Sequence, residues 1–396
     1  MRRWIGPGIL VAVGYMDPGN WATGIEAGSG FGYDLAWVIL LSSAAAILLQ
    51  VVAARLGIFS GQDLIGLGYT LMGPRMGKFL ATTAFLAIVA TDLAEVLGFA
   101  LALHLLFGFP MEMGAVFALI ETVLVLYWTS RRPLLLETLV GFLTMGILGI
   151  FIYELAILRP PIESISQGLV PSLNLLSNRE ALYLALGLLG ATIMPHNLYL
   201  HSAWVKGRFY GTEREQARMT TRDTALSLSV AFFVNLALLL TAAALSRIPN
   251  PVNRWGIEDA YKLFEPTVGS FAGWAFGIAL LLSGHNATIT STLTGQVVLE
   301  YLLPKSLPSF WRAVLLRSLS LLPALVALVF WGAAHVSDML VLSQVFLSLQ
   351  LPFVLLPMLY FMRRIKRARL ALHWQVATWI ISFVVVGLNF FMLLSL

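Results

Sequence analysis

Two short runs hold the residues of this chain best equipped for chemistry. Residues 14–20 read GYMDPGN and residues 190–197 read GATIMPHN, each inside an otherwise apolar stretch. Asp17 offers a hard anionic oxygen, Asn20 a neutral amide oxygen and Met194 a soft thioether. The prolines beside them interrupt a helix, because proline has no N–H to donate and clashes with the preceding turn. Unwinding frees carbonyls one turn earlier, and Gly14 and Ala191 are the natural suppliers because neither side chain blocks an approach. One charge, several neutral oxygens and one sulfur suit a divalent first-row transition metal; calcium and magnesium take oxygen alone. The thioether then serves chiefly to discriminate, since a dehydrated hard ion gains little from sulfur. Packing is the competing reading for Met194, one of 13 methionines. A plain kink is the competing reading for either proline, but two prolines in matching places with polar neighbours weigh against it. The chain has no cysteine, which excludes disulfides and thiolate metal sites.

Titratable groups elsewhere in apolar sequence suggest a proton path. His196 follows Pro195 directly and either ligates or titrates near neutrality; titration is favoured, because a fixed imidazole ligand would hold a transported ion too firmly. His201, five residues on, either takes part or hydrogen-bonds a neighbouring helix. Asp92 and Glu95 in ATDLAEVLGFA are three apart and share one helical face. Two such carboxylates in lipid share a proton or meet a cation. Arg317 is the obvious counter-charge, with Arg312 nearer the surface; a static salt bridge is the plainer alternative. In VLSQVFLSLQLPF, Gln344 and Gln350 are six apart and cannot both face one narrow site. Gln344 is the more interior, and its amide is a candidate metal ligand in one state of a cycle. In SGHNATITSTLTGQ, His285 and Asn286 either line a vestibule or simply pack. Glu121, Glu137 and Glu300 receive no specific role.

These residues need helices at membrane depth to hold them. The 396-residue chain is 59% hydrophobic and 11% charged, with a mean hydropathy of +0.84, whereas soluble domains carry about 25% charge. Eleven spans of membrane length are expected, at roughly 6–24, 34–56, 78–107, 112–128, 135–156, 181–203, 221–246, 268–303, 311–331, 338–361 and 371–395. The first is expected to be a retained helix rather than a cleaved signal, as no small-residue cleavage site precedes it. With the N-terminus inside, nineteen of the 25 Lys and Arg residues fall on the inner side, including the Arg363, Arg364, Lys366, Arg367 and Arg369 cluster. That bias predicts a cytoplasmic N-terminus and an extracytoplasmic C-terminus. Spans one to five (residues 6–156) and six to ten (residues 181–361) then form two halves, each opening on a broken helix. An odd number of spans per half inverts the second copy, and residues 371–395 add an eleventh helix. The whole chain is expected to be one all-α membrane domain.

The runs DPGNWAT at 17–23, MPHNLYLHS at 194–202 and LSQVFLSLQLPF at 342–353 are similar to those of the natural resistance-associated macrophage protein (Nramp) family, most closely its bacterial manganese-transport members. The resemblance runs from about residue 6 to the tenth span. It implies a LeuT-like fold with a 5+5 inverted repeat and eleven transmembrane helices. It also implies symport of Mn²⁺ or Fe²⁺ with protons into the cytoplasm, by alternating access in a bacterial inner membrane. On the family pattern Asp17, Asn20 and Met194 bind the metal, with the carbonyls of Ala191 and, in one conformation, Gly14. Gln344 matches a position linked to the metal when the site is closed to the outside. Asp92, Glu95, His196 and an arginine of the ninth span match the proton network, with Asp17 the junction between ion and proton.

Departures fall in the eighth span, where His285 and Ser291 stand for the family's common glutamine and glycine, and in FSGQDLIGLGYTLMG after the second span. Metal ions, protons and the bilayer are the expected partners, with no cofactor, nucleic acid or nucleotide, and one chain is expected to function as a monomer. No nucleophile–base set points to an enzyme, and no GxxxxGK loop to ATP as the energy source. The rival reading is a carrier of an amino acid or organic cation on the same fold; Met194 beside Asp17 argues against it.

Overall fold

Proline placement and polar caps set the element boundaries. The computed structural model describes residues 7–131, 133–172, 177–205, 209–246, 255–303 and 308–395, and among them only helices and connecting turns occur. The first span is split into α1 (Pro7–Gly14) and α2 (Pro18–Phe31), and the sixth into α9 (Arg179–Thr192) and α10 (Pro195–Trp204). The other spans are α3 (Ala36–Ser60), α5 (Pro74–Phe107), α6 (Met111–Arg131), α7 (Pro133–Leu158), α11 (Glu213–Leu245), α13 (Ser270–Leu302), α14 (Ser309–Trp331), α15 (Val336–Arg364) and α16 (Leu372–Ser395). These make the eleven segments expected. Seven of the helical stretches among the described residues are by themselves long and apolar enough to cross a membrane. At about 1.5 Å per residue, α5 with 34 residues and α13 with 33 exceed a hydrocarbon core of about 30 Å.

Three short helices lie between the spans: α4 (Leu64–Met72), α8 (Ile162–Gly168) and α12 (Ile257–Val268). α12 buries Ile257, Ala260 and Phe264, a 3–4 spacing that packs one stripe inward. α11 begins eight residues before the expected span, because Thr212 and Glu215 form a reciprocal capping box there. The Thr212 backbone and hydroxyl both donate to the Glu215 carboxylate and hold it below the usual carboxylate range.

α13 packs along α5, and α11 along α2 and α3, so the two broken spans sit inside a ring of continuous helices. α2 reaches α11 closely because Gly28 faces the Leu239 carbonyl and the Ala242 methyl, where a Cβ would clash with backbone. Gly28→Ala is therefore expected to lower stability by about 1–3 kcal/mol through overpacking. A fall in the melting temperature of the detergent-purified protein would register it; an unchanged melting temperature would mean that α2 and α11 can separate freely.

Candidate functional site

The first break is built by backbone accounting. α1 ends at Gly14, and Pro18 opens α2 one turn later. Tyr15 and Met16 donate their N–H groups to Ala12 and Val13 at 3.1 Å each. The carbonyl of Tyr15 accepts from Asn235 Nδ2 at 2.8 Å, and that of Met16 from the Ser283 hydroxyl. The Asp17 carbonyl accepts from Trp21 at 3.3 Å. In a continuous helix the Gly14 carbonyl would be served by residue 18, and proline has no N–H to give. Asp17 itself is the N-cap of α2, in extended geometry (φ −66°, ψ 166°), and accepts the Asn20 N–H at 2.8 Å.

The second break repeats the logic. Ile193 donates back to Leu189 at 2.7 Å and leaves helical geometry at φ −107°, ψ 79°. Met194 caps α10 with no side-chain hydrogen bond to its backbone, and Pro195 follows as first helical residue. Ala191 stands four residues before Pro195, as Gly14 does before Pro18, so its carbonyl also lacks the helical donor.

The structure brings the two breaks against one another and against α15. A Cβ on Gly14 would run into the Asn197 amide, and one on Gly19 into the Gln344 side chain. Gln344 Nε2 reaches Asp17 Oδ2 at 3.5 Å, a long contact. Met194 Sδ accepts from Asn197 Nδ2 at 3.4 Å. Asp17, Met194 and Gln344 are wholly buried and Asn20 nearly so. Asn20 Nδ2 and Gln344 Oε1 have no hydrogen-bond partner, which marks an incomplete polar cluster of the kind a ligand or water completes. Among the described residues no three His, Asp or Glu side chains gather as a metal cage. One carboxylate amid neutral oxygens and one sulfur is therefore the donor set on offer.

The titratable residues divide into separate clusters. His196 Nδ1 lies 3.1 Å from the Thr91 hydroxyl, beside Asp92, so α10 meets α5 near the paired carboxylates. His201, five positions on, points elsewhere: its Nδ1 lies 2.9 Å from Gln50 Oε1, and Gln50 Nε2 donates to the Tyr15 hydroxyl at 2.7 Å. The His201–Gln50–Tyr15 chain leads back to the first break. Asp92 and Glu95 are both buried, and Glu95 Oε2 accepts from Ser291 at 2.7 Å. Arg312 and Arg317 belong to α14, but their side chains lie outside the described residues. His285 pairs with Glu121 of α6, whereas Asn286 is buried with neither amide atom partnered; the two do not act together.

Sequence reasoning missed four participants. Gln50 was the one polar amide in a strongly apolar span, a signal that was present. Asn197 stands one turn from Met194, within the same motif. Asn235 and Ser283 act on backbone carbonyls of a distant segment, which no local pattern announces.

Two broken helices crossing inside a ring of continuous ones define a LeuT-like secondary-transporter fold. Solved structures of two such carriers share it at low identity: MhsT in complex with L-phenylalanine (TM-score 0.62, 14% identity, covering 98% of this chain and 100% of that one) and the nucleobase-cation-symport-1 family transporter Mhp1 (TM-score 0.61, 15% identity, covering 94% and 81%). The sequence model of the natural resistance-associated macrophage protein-like family matches residues 8–395, and the chain belongs to the Nramp family. It is 46% identical over 366 residues to the divalent metal cation transporter MntH 1 of Pseudomonas aeruginosa, covering 91% of this chain and 83% of that one. It is 42% identical over 403 residues to MntH of Nostoc sp., covering 100% and 91%. The crystal structure of the Eremococcus coleocola manganese transporter in complex with an aromatic bis-isothiourea substituted compound matches with a TM-score of 0.82, at 33% identity over 97% of this chain and 84% of that one. These relatives are named as metal cation transporters, not as enzymes.

Proposed function

We propose that this protein imports divalent transition metal ions, Mn²⁺ or Fe²⁺, into the cytoplasm by alternating access, coupled to proton symport. The observation that carries the reading is the meeting of the two proline breaks, with buried Asp17 between Asn20, Met194 and Gln344. The metal is held as cargo by Asp17, Asn20 and Met194, with the carbonyls of Ala191 and Gly14, and by Gln344 in the state closed to the outside. A single carboxylate and a thioether bind more weakly than a cage of imidazoles and carboxylates, which suits an ion released on every cycle. Protons pass through Asp17, His196, Asp92 and Glu95, with Arg317 or Arg312 of α14 as counter-charge. The Thr91–His196 contact supports that route, because it joins the second break to the helix bearing both carboxylates.

The halves of the carrier are residues 6–156 and 181–361, with 371–395 appended. The chain sits in a bacterial cytoplasmic membrane as a monomer, with its N-terminus inside and C-terminus outside. An inside-negative potential then favours cation entry by roughly 2.3 kcal/mol per charge at 100 mV. Paired metal and pH flux in proteoliposomes tests the reading. The expected result is Mn²⁺ uptake accompanied by internal acidification, with Ca²⁺ and Mg²⁺ excluded. Uptake without acidification would overturn the proton coupling and leave Asp92 and Glu95 structural. No divalent flux would overturn the metal reading in favour of an organic substrate.

A further inference from the structure

The walls of α3, α9 and α16 leave an apolar cavity of about 360 Å³ between them. Its α16 wall is the stripe Trp374, Ala377, Ile381 and Leu388, and Ser42 is the lone polar side chain of the lining. From Trp374 to Leu388 the cavity runs roughly 21 Å at the helical rise, most of one hydrocarbon core of about 30 Å. Leu41, Trp374, Ile380 and Val384 of its lining are half-exposed, so it opens as a groove on the lipid side. The space fits one extended hydrocarbon chain.

Charge distinguishes the two ends. α3 and α16 converge on the turn joining α15 to α16: Arg55 of α3 donates to the carbonyls of Ala368 and Arg369 at 2.8 and 3.0 Å. That turn and the end of α15 carry Arg363, Arg364, Lys366, Arg367 and Arg369, and Trp374 follows half-exposed at the mouth of the cavity. Some of these charges are committed: Arg367 pairs with Glu213 at 2.7 Å, and Arg369 donates to the carbonyls of Met362 and Arg363. Arg363 and Lys366 are exposed. At the far end, near Trp37, stand Asp34, Arg179 and Glu180, without net positive charge. Clustered Lys and Arg beside a membrane helix attract anionic headgroups, and indole rings settle at the headgroup level.

We propose that this cavity is a binding site for one anionic phospholipid, its acyl chain between α3, α9 and α16 and its headgroup at Arg363 and Lys366. The chain lies against Leu189 and Ile193, the back of the second break, so the bound lipid braces α9 immediately before Met194. The site is independent of which ion is carried, so its test reads binding and not transport.

Native mass spectrometry of the detergent-purified protein, titrated with dioleoylphosphatidylglycerol or dioleoylphosphatidylcholine, decides it. One phosphatidylglycerol should be retained severalfold more than phosphatidylcholine. Ala377→Trp, which fills the cavity, should abolish that retention; Ala44→Trp does the same from the opposite wall should the first variant misfold. Arg363→Glu with Lys366→Glu should leave lipid binding but erase the preference for phosphatidylglycerol. Equal retention of both lipids, retention undiminished in a folded cavity-filled variant, or a dimer mass in place of the lipid adduct would each overturn the proposal.

Discussion

Asp17→Asn is expected to abolish divalent-metal uptake while leaving a folded protein in the membrane. The two jobs of this carboxylate can be separated. As N-cap of α2 it accepts the Asn20 N–H at 2.8 Å, and asparagine caps a helix about as well as aspartate. In the proposed site it is the acid that Gln344 reaches, at 3.5 Å, and it would supply the negative charge that a dehydrated divalent ion requires. Removing one member of a buried opposite-charge contact costs about 3–5 kcal/mol, which is roughly two to four orders of magnitude in affinity. Asp17→Ala adds the loss of the cap, about 1 kcal/mol, and is the less clean variant. Radiolabelled Mn²⁺ uptake in proteoliposomes, with size-exclusion chromatography as the folding control, checks both. Robust uptake by a folded Asp17→Asn protein would remove the metal site from the first break.

The fold was legible because membrane burial imposes simple rules. Span-length apolar runs gave all eleven segments within about four residues, apart from the early start of α11 and the end of α2, which runs on to Phe31 where residue 24 is expected. Pro18 and Pro195 located both breaks to the residue, since a missing N–H acts locally and needs no tertiary context. Of the short helices α4, α8 and α12, none is announced by a span-length apolar run, α12 included. Its stripe of Ile257, Ala260 and Phe264 is only one helix face, too short and too polar for a span.

The candidate site was legible in its ligand types and only partly in its contacts. Asp17, Asn20 and Met194 carry chemistry in their identity, so the motif alone offers them as candidates. Gln344 was singled out as the interior one of two amides, and it does reach Asp17. Contacts between distant helices were not readable. Ser291 on Glu95, Glu121 on His285 and Gln50 on His201 each join residues more than a hundred positions apart. His285 and Ser291 of α13 each touch an acidic residue of a neighbouring helix, Glu121 and Glu95.

Met194→Ala is expected to retain much of the Mn²⁺ transport and to admit Ca²⁺. The wild-type sulfur is wholly buried at the second break, where it accepts from the Asn197 amide at 3.4 Å. A thioether rewards a soft or borderline ion and gives little to calcium, which takes six to eight oxygens in loose geometry. Alanine leaves a space that water can enter, and an oxygen there suits Ca²⁺ as well as Mn²⁺. Selectivity should therefore fall more than Mn²⁺ transport does. Truncating a buried methionine also costs about 2–5 kcal/mol in packing, so a lower yield of folded protein is expected and must be normalised. Met194→Leu provides the control: it keeps the volume, costs under about 1.5 kcal/mol, and removes the sulfur without opening the space. Leucine should weaken Mn²⁺ transport without admitting Ca²⁺, because the sulfur is lost and no oxygen replaces it; Ca²⁺ entry through the leucine variant as well would place the discrimination in the sulfur alone. Competition of Ca²⁺ against Mn²⁺ uptake in proteoliposomes reads the difference. Unchanged Ca²⁺ exclusion in a folded Met194→Ala protein would return this residue to the role of packing, and selectivity would then rest on the oxygen ligands and the size of the cavity they enclose.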